Sequence, residues 1–148
     1  MKPRIMVPFD FSETADAALA WAADLRATTG GPPLEIVHAV DARTLGTPEM
    51  PVCPVLPDEN ETARLEQMMR DAAARYQTGA NVHVVVQSSE IPRIVTDAAR
   101  ELCADLIAMG THGLTGVRRL LLGSVAEHVV RHAPCPVVTV RSGPKPVG

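Results

Sequence analysis

The sequence predicts a single α/β domain: a doubly wound, mainly parallel sheet with helices on both faces. Three observations carry this. Five short apolar runs alternate with stretches whose apolar residues recur at helical spacing, and parallel neighbours need crossovers of that kind. Two of the runs, Val82 to Val86 and Leu106 to Met109, are almost continuously apolar, as strands covered on both faces are. The 148 residues suit one domain, 1–148, able to bury a core without disulfides or metals.

Each element has its own signal. The first run, Arg4 to Phe9, ends at Asp10, and Ser12 can then cap a helix. That helix carries Ala15, Ala18, Leu19, Ala22 and Leu25 on one face and stops at Gly30 and Gly31. Leu34 to Val40 reads as the second strand. The loop from Asp41 to Pro57 contains Pro48, Pro51, Pro54 and Pro57, so it is expected to be irregular, extended and exposed. Asp58 or Asn60 caps the next helix, whose face is Leu65, Met68, Met69, Ala72 and Tyr76, closing at Gly79. The two methionines read as core filler.

Val82 to Val86 is the third strand. Ser89 and Glu90 precede a third helix with Pro92 in its first turn, where proline is tolerated. Its apolar face is Ile91, Ile94, Val95, Ala98 and Leu102. Asp105 to Met109 is the fourth strand, a glycine-rich loop follows, then a helix over about Val125 to His132 and a last strand, Pro136 to Val140. The core therefore runs over about 4–141, and the tail 142–148, with Pro144 and Pro146, is expected to fray.

The composition narrows the function classes. It is 46% hydrophobic and 21% charged, ordinary for a soluble protein. A net charge of -3 gives no general affinity for nucleic acid or anionic lipid. Aromatic residues make up 3%, too few for a platform that stacks single strands. Cys53, Cys103 and Cys135 are odd in number and far apart, which fits a reducing compartment. Pro8 and Asp10 interrupt the apolar run at the start, against a signal peptide, and no apolar stretch is long enough to cross a bilayer. The expected location is the cytoplasm.

The chemistry concentrates after the fourth strand, in GTHGLTGVRRLLLGSVAEHVV. Gly110 follows a buried strand, Gly113 comes three residues later, and Gly123 directly precedes Ser124. Ser124 and Glu127 have the S-x-x-E spacing of a capping box, which marks a helix start. Such a start offers unpaired N–H groups and a partial positive charge to a phosphate, and glycines let backbone approach it closely. The Ser124 hydroxyl is expected either to cap the helix or to bond a phosphate oxygen. No lysine precedes Ser124, so this is not a Walker loop, and it is not the dinucleotide G-x-G-x-x-G either.

The pattern G-x-x-G, nine residues, then G-S resembles the ATP-binding signature of the universal stress protein family, matched here by Gly110, Gly113, Gly123 and Ser124. The opening MVPFDFSETADAAL and the closing GSVAEHVVRHAPCPVVTVR are similar to that family's first and last elements. The resemblance implies a Rossmann-like fold of the adenine nucleotide alpha hydrolase type, with five parallel strands in the order 3-2-1-4-5. It implies ATP, with or without Mg2+, between the first strand's end and the glycine loop. By position, Pro8 belongs to the first strand's end and Asp10 meets ribose hydroxyls or a metal-linked phosphate. Ala39 lines the adenine pocket through its backbone, and Met109 flanks adenine or ribose. Gly110, Gly113, Gly123, Ser124 and Val125 bind phosphates. The resemblance also implies a homodimer through 136–140. Two departures stand out: Ser88, Ser89 and Glu90 where members often carry a glycine, and the proline-rich loop 47–57.

Other residues have plainer readings. Asp10 alone reads equally as a turn or capping aspartate. His128, His132 and Cys135 are spaced like metal ligands but lack a fourth partner, and histidines suit a helix C-terminus; no metal site is assigned. His38 and His83 fall on strand patterns as packed or edge residues, while His112 in the loop faces solvent or ligand. Arg118 and Arg119 read as a solvated face beside Leu120, Leu121 and Leu122, or as phosphate contacts. Ser124 sits in no G-x-S-x-G elbow, so no catalytic residue is assigned. The expected function is an ATP-binding stress-response or signalling module. The alternatives are a slow Mg-dependent ATPase or phosphotransfer enzyme using Asp10, and an interaction protein with an empty or cyclic-nucleotide pocket.

Overall fold

A computed structural model describes residues 2–112 and 122–142. Of the residues singled out above, Gly113, Arg118, Arg119, Leu120 and Leu121 lie outside them, as does the chain after Ser142. The elements in order are β1 (Ile5–Pro8), α1 (Glu13–Thr29), β2 (Leu34–Asp41), β3 (Leu45–Gly46), β4 (Pro51–Val52) and α2 (Glu59–Arg75). Then come β5 (Ala80–Gln87), α3 (Ile91–Glu101), β6 (Leu106–Gly110), α4 (Ser124–His132) and β7 (Val137–Val140). The main sheet has the order β5-β2-β1-β6-β7, every neighbouring pair parallel. Counted along that sheet alone, this is the expected 3-2-1-4-5.

Period-two alternation divides the core between two faces. Ile5 and Val7 of β1, with Ile36 of β2, pack under α1 and α2 with Leu19, Ala22, Met69 and Ala72. Met6 and Val37 point the other way, to Val95, Ala98 and Val129 of α3 and α4. Small residues on α1 (Ala15, Ala18, Ala22) are fully covered, so this helix lies close on the sheet. Its ends are well specified. Ser12 Oγ accepts from Ala15 N at 3.2 Å, and Gly30 closes it in the left-handed conformation, φ 66°. Asp58, not Asn60, caps α2, with Oδ1 accepting from Glu61 N at 2.8 Å.

Three expectations are corrected. The proline-rich loop is exposed but not wholly irregular: Leu45 pairs with Val52 and Gly46 with Pro51 in an antiparallel ribbon. Only Met69 of the two α2 methionines fills the core; Met68 is 39% exposed. The apolar run Val82 to Val86 is covered only in part, with Val82 and Val84 packed on the α1–α2 side and Val85 on the α3–α4 side. It sits on β5 at the sheet edge, where no residue is fully buried. Leu106 to Met109 does meet that expectation, with Ile107, Ala108 and Met109 buried.

Candidate functional site

The strand order reverses between β1 and β6, and there the two strands part. β1 stays paired with β2 as far as Pro8 against Val37. Its pairing with β6 ends at Met6 against Ile107, while β6 continues beside β7 to Gly110 against Val140. Pro8 explains the split. Phe9 N donates to Val37 O on the β2 side at 2.8 Å, so the neighbouring residue turns its nitrogen toward β6, and proline has no hydrogen there to give. Open parallel sheets bind ligands in such a crevice.

One wall is the end of β1. Asp10 is half-buried, and its Oδ1 accepts from Ser12 N at 3.0 Å, the turn role that its position suggests. Phe11 follows with φ 66°, a conformation that bulky residues seldom adopt outside constrained sites. Phe9 meets its ring edge-on at 5.0 Å and His38 lies 5.1 Å away. His38 Nδ1 donates to Phe9 O at 2.8 Å, since a carbonyl can only accept. His38 is thus a packed residue, and His83 sits on the edge strand. There His83 Nε2 bonds Glu35 Oε2 at 2.7 Å and Asn81 satisfies Oε1 at 3.1 Å.

The other wall joins β6 to α4. Met109 is buried, and Ala39, Ile91, Leu122 and Val125 pack against the same cluster while remaining partly open. They come from β2, α3, the segment before α4 and α4 itself. Gly110 has a different reason from the one expected. A Cβ there would lie 2.7 Å from Thr14 Cβ, against α1, so the missing side chain serves helix packing. Gly123 N donates to Thr111 O at 2.6 Å, and a Cβ on Gly123 would come within 3.0 Å of the same oxygen. The glycine loop therefore leaves and returns through a closed neck.

The capping box does not form. Gly123 is the N-cap of α4 and makes no side-chain cap bond. Ser124 is the first helical residue, exposed, and Glu127 reaches forward to Arg131 at 2.9 Å instead of back. The first intrahelical bond is Glu127 N to Gly123 O, 2.9 Å, which leaves the N–H groups of Ser124, Val125 and Ala126 ahead of it. This is a helix start without a side-chain cap.

At the rim, Arg43 grips Asp41 through both carboxylate oxygens, at 2.6 and 3.0 Å, and reaches Glu90 at 3.6 Å. Arg43 holds the Asp41 carboxyl below its usual range, and Asp41 in turn raises the guanidinium. The departure at Ser88 to Glu90 thus supplies an ionic tie between β2 and α3. His128 and His132 stack at 4.2 Å, and His132 Nδ1 donates to His128 O at 2.9 Å. Burial, then Asp105, pushes the Cys135 thiol up, away from thiolate chemistry. Among the described residues no three His, Cys, Asp or Glu groups converge as a metal site, and no helix is long and apolar enough to cross a membrane.

Sequence reasoning passed over Thr14, Phe11 and Arg43, and read Ile91 only as part of a helix's apolar face. Thr14 meets the loop across 98 positions of sequence, a distance over which one chain carries no readable signal.

Comparison with known proteins agrees with this fold. The model of the universal stress protein family matches residues 1–141. A putative universal stress protein of Staphylococcus haemolyticus is 33% identical over 145 residues, covering 93% of this chain and 84% of that one. The structure of the universal stress protein UspA from Lactobacillus plantarum superposes with a TM-score of 0.73 at 26% identity, covering 95% of this chain and 99% of its own. That of the universal stress protein from Archaeoglobus fulgidus in complex with dAMP gives 0.68 at 24% identity, with 93% and 97% covered.

Proposed function

The chain belongs to the universal stress protein family, and on that premise we propose that it binds ATP in the β1–β6 crevice and acts as a nucleotide-dependent stress-response or signalling module. The observation that carries this reading is the start of α4, whose leading N–H groups have no capping side chain and suit a phosphate. Gly123, Ser124 and Val125 hold the phosphates there, with Gly110 and Gly113 at the loop's entry. Asp10 takes the ribose hydroxyls or a Mg2+-linked phosphate through Oδ2, since Oδ1 is engaged by Ser12 N. The adenine lies by Pro8, Met109 and the backbone of Ala39. The dAMP-bound relative supports an adenine nucleotide as the ligand class.

Holding ATP fits these residues better than spending it. No lysine precedes Ser124, and rapid phosphoryl transfer needs such a cation together with a residue that positions water. Asp10 would be the residue to hold Mg2+, where bound, and the ion would supply neutralisation of phosphate charge. β7, an outer strand with half-open Val137, Val138 and Val140, is the surface for a homodimer. The free thiols of Cys53, Cys103 and Cys135 suit the cytoplasm.

The test is to purify the protein gently, denature it, and identify released nucleotide by mass spectrometry. ATP is expected. No released nucleotide, together with no heat of ATP binding at millimolar concentration, contradicts the reading. Incubation with ATP and Mg2+ separates the enzymatic alternative. Turnover well above about one per minute that disappears in Asp10→Ala would establish that alternative, on a timescale still slow for a kinase.

A further inference from the structure

A chain of hydroxyls connects the two walls of the crevice, and its direction can be worked out atom by atom. Thr14 Oγ1 bonds His112 O, and a carbonyl only accepts, so Thr14 donates there. Its single proton is then committed. In the longer 3.4 Å contact between Ser12 Oγ and Thr14 Oγ1, Ser12 must therefore be the donor. Ser12 Oγ in turn accepts from Ala15 N at 3.2 Å, and Ser12 N donates to Asp10 Oδ1 at 3.0 Å. Proton donation thus runs from Ala15 N through Ser12 and Thr14 to the carbonyl of His112. Ser12 and Thr14 are both buried, where water competes weakly for such bonds.

The far end of this chain is the neck of the glycine loop. His112 is the last described residue before the loop, and its neighbour Thr111 accepts the Gly123 N–H at 2.6 Å. Gly123 is the N-cap of α4. The absent side chain of Gly110 is what admits Thr14 to this position. Asp10 and the start of α4 lie in different segments, yet both hang from the first turn of α1 through Ser12 and Thr14.

We propose that Thr14 is a positioning residue that sets the phosphate end of the site, by fixing the loop neck, and with it the start of α4, relative to Asp10. This deepens the nucleotide reading and rests on it. Thr14 is buried and its hydroxyl proton goes to His112 O, so its influence should follow the phosphates and spare the base.

Calorimetry with ATP and with adenosine on Thr14→Val and Thr14→Ser tests this. Valine keeps the shape beside Gly110 and removes the hydroxyl; serine keeps the hydroxyl. Thr14→Val should weaken ATP about tenfold, the scale of one lost hydrogen bond, and leave adenosine within about twofold. Thr14→Ser should restore ATP binding. Equal loss of ATP and adenosine in Thr14→Val, or ATP binding unchanged, overturns the role. Hydrogen exchange at the Gly123 amide gives a readout independent of nucleotide. It should accelerate in Thr14→Val and recover in Thr14→Ser, and unchanged exchange in Thr14→Val overturns the relay itself. A wild-type protein that binds neither ligand instead overturns the nucleotide reading, and the positioning role with it.

Discussion

Two helices begin at the same edge of the sheet and begin differently. α1 opens with a complete set of partners. Ser12 caps it, Asp10 holds the cap's own N–H, and Glu13 and Asp16 place carboxylates in its first turn. α4 opens on Gly123 with no side-chain cap, an exposed Ser124, and a Glu127 that pairs with Arg131. The positive end of α1 is answered by its own side chains; that of α4 has no side-chain cap, and under the proposed function a phosphate answers it. A helix start becomes an anion seat when its own sequence does not fill it.

The sharpest way to break the contrast is to give α4 the acid that α1 already has. Ser124→Asp should stabilise the fold by about 0.3–1 kcal/mol through the helix dipole. The same carboxylate would face the phosphates. At about 4 Å and an effective dielectric near 20 the repulsion is about 4 kcal/mol, so ATP affinity should fall at least roughly a hundredfold. Thermal melts and calorimetry on one sample read both. Equal or better ATP binding would show that the seat lies elsewhere.

A smaller effect is expected on the α1 side. Gly110→Val puts a branched side chain where Thr14 already stands, and overpacking of this kind costs about 1–3 kcal/mol in denaturant melts. Ser12→Ala removes a cap that is made, at about 1 kcal/mol. Ser124→Ala removes one that is not, so stability should stay within about 0.5 kcal/mol. Equal losses in the two serine variants would erase the distinction between the helix starts.

The fold was legible because its signals are local. Alternation of apolar runs, the Ser12 and Asp58 caps and the Gly30 stop each act within a few residues, and the parallel architecture follows from them. Edge or centre is not local. Val82 to Val86 is as apolar as a central strand, yet β5 lies outermost, and exposure on one side leaves no mark on composition. Pro51 likewise sits in a ribbon that proline content argued against, because an edge position needs no N–H from it.

Within the candidate site, the glycines and the helix start could be read directly, but their reasons could not. The S-x-x-E spacing located α4 and misassigned its cap, since the helix begins one residue earlier than a Ser124 cap requires. Gly110 suggested close backbone approach to a phosphate, and its packing against Thr14 is a further reason that the sequence did not show. Both points concern what lies across the fold from a residue rather than beside it in the chain. The turn reading of Asp10 was legible, and its bond to Ser12 N realises it through Oδ1.

The most direct measurement compares the two helix starts in one titration. ATP added to uniformly nitrogen-15-labelled protein should shift the amide signals of Ser124, Val125 and Ala126, whose N–H groups precede the first bond of α4. The amide of Ala15, already bonded to Ser12 Oγ, should move far less. Saturation at millimolar ATP with the three α4 amides unmoved would contradict the account, and so would a response led by Ala15.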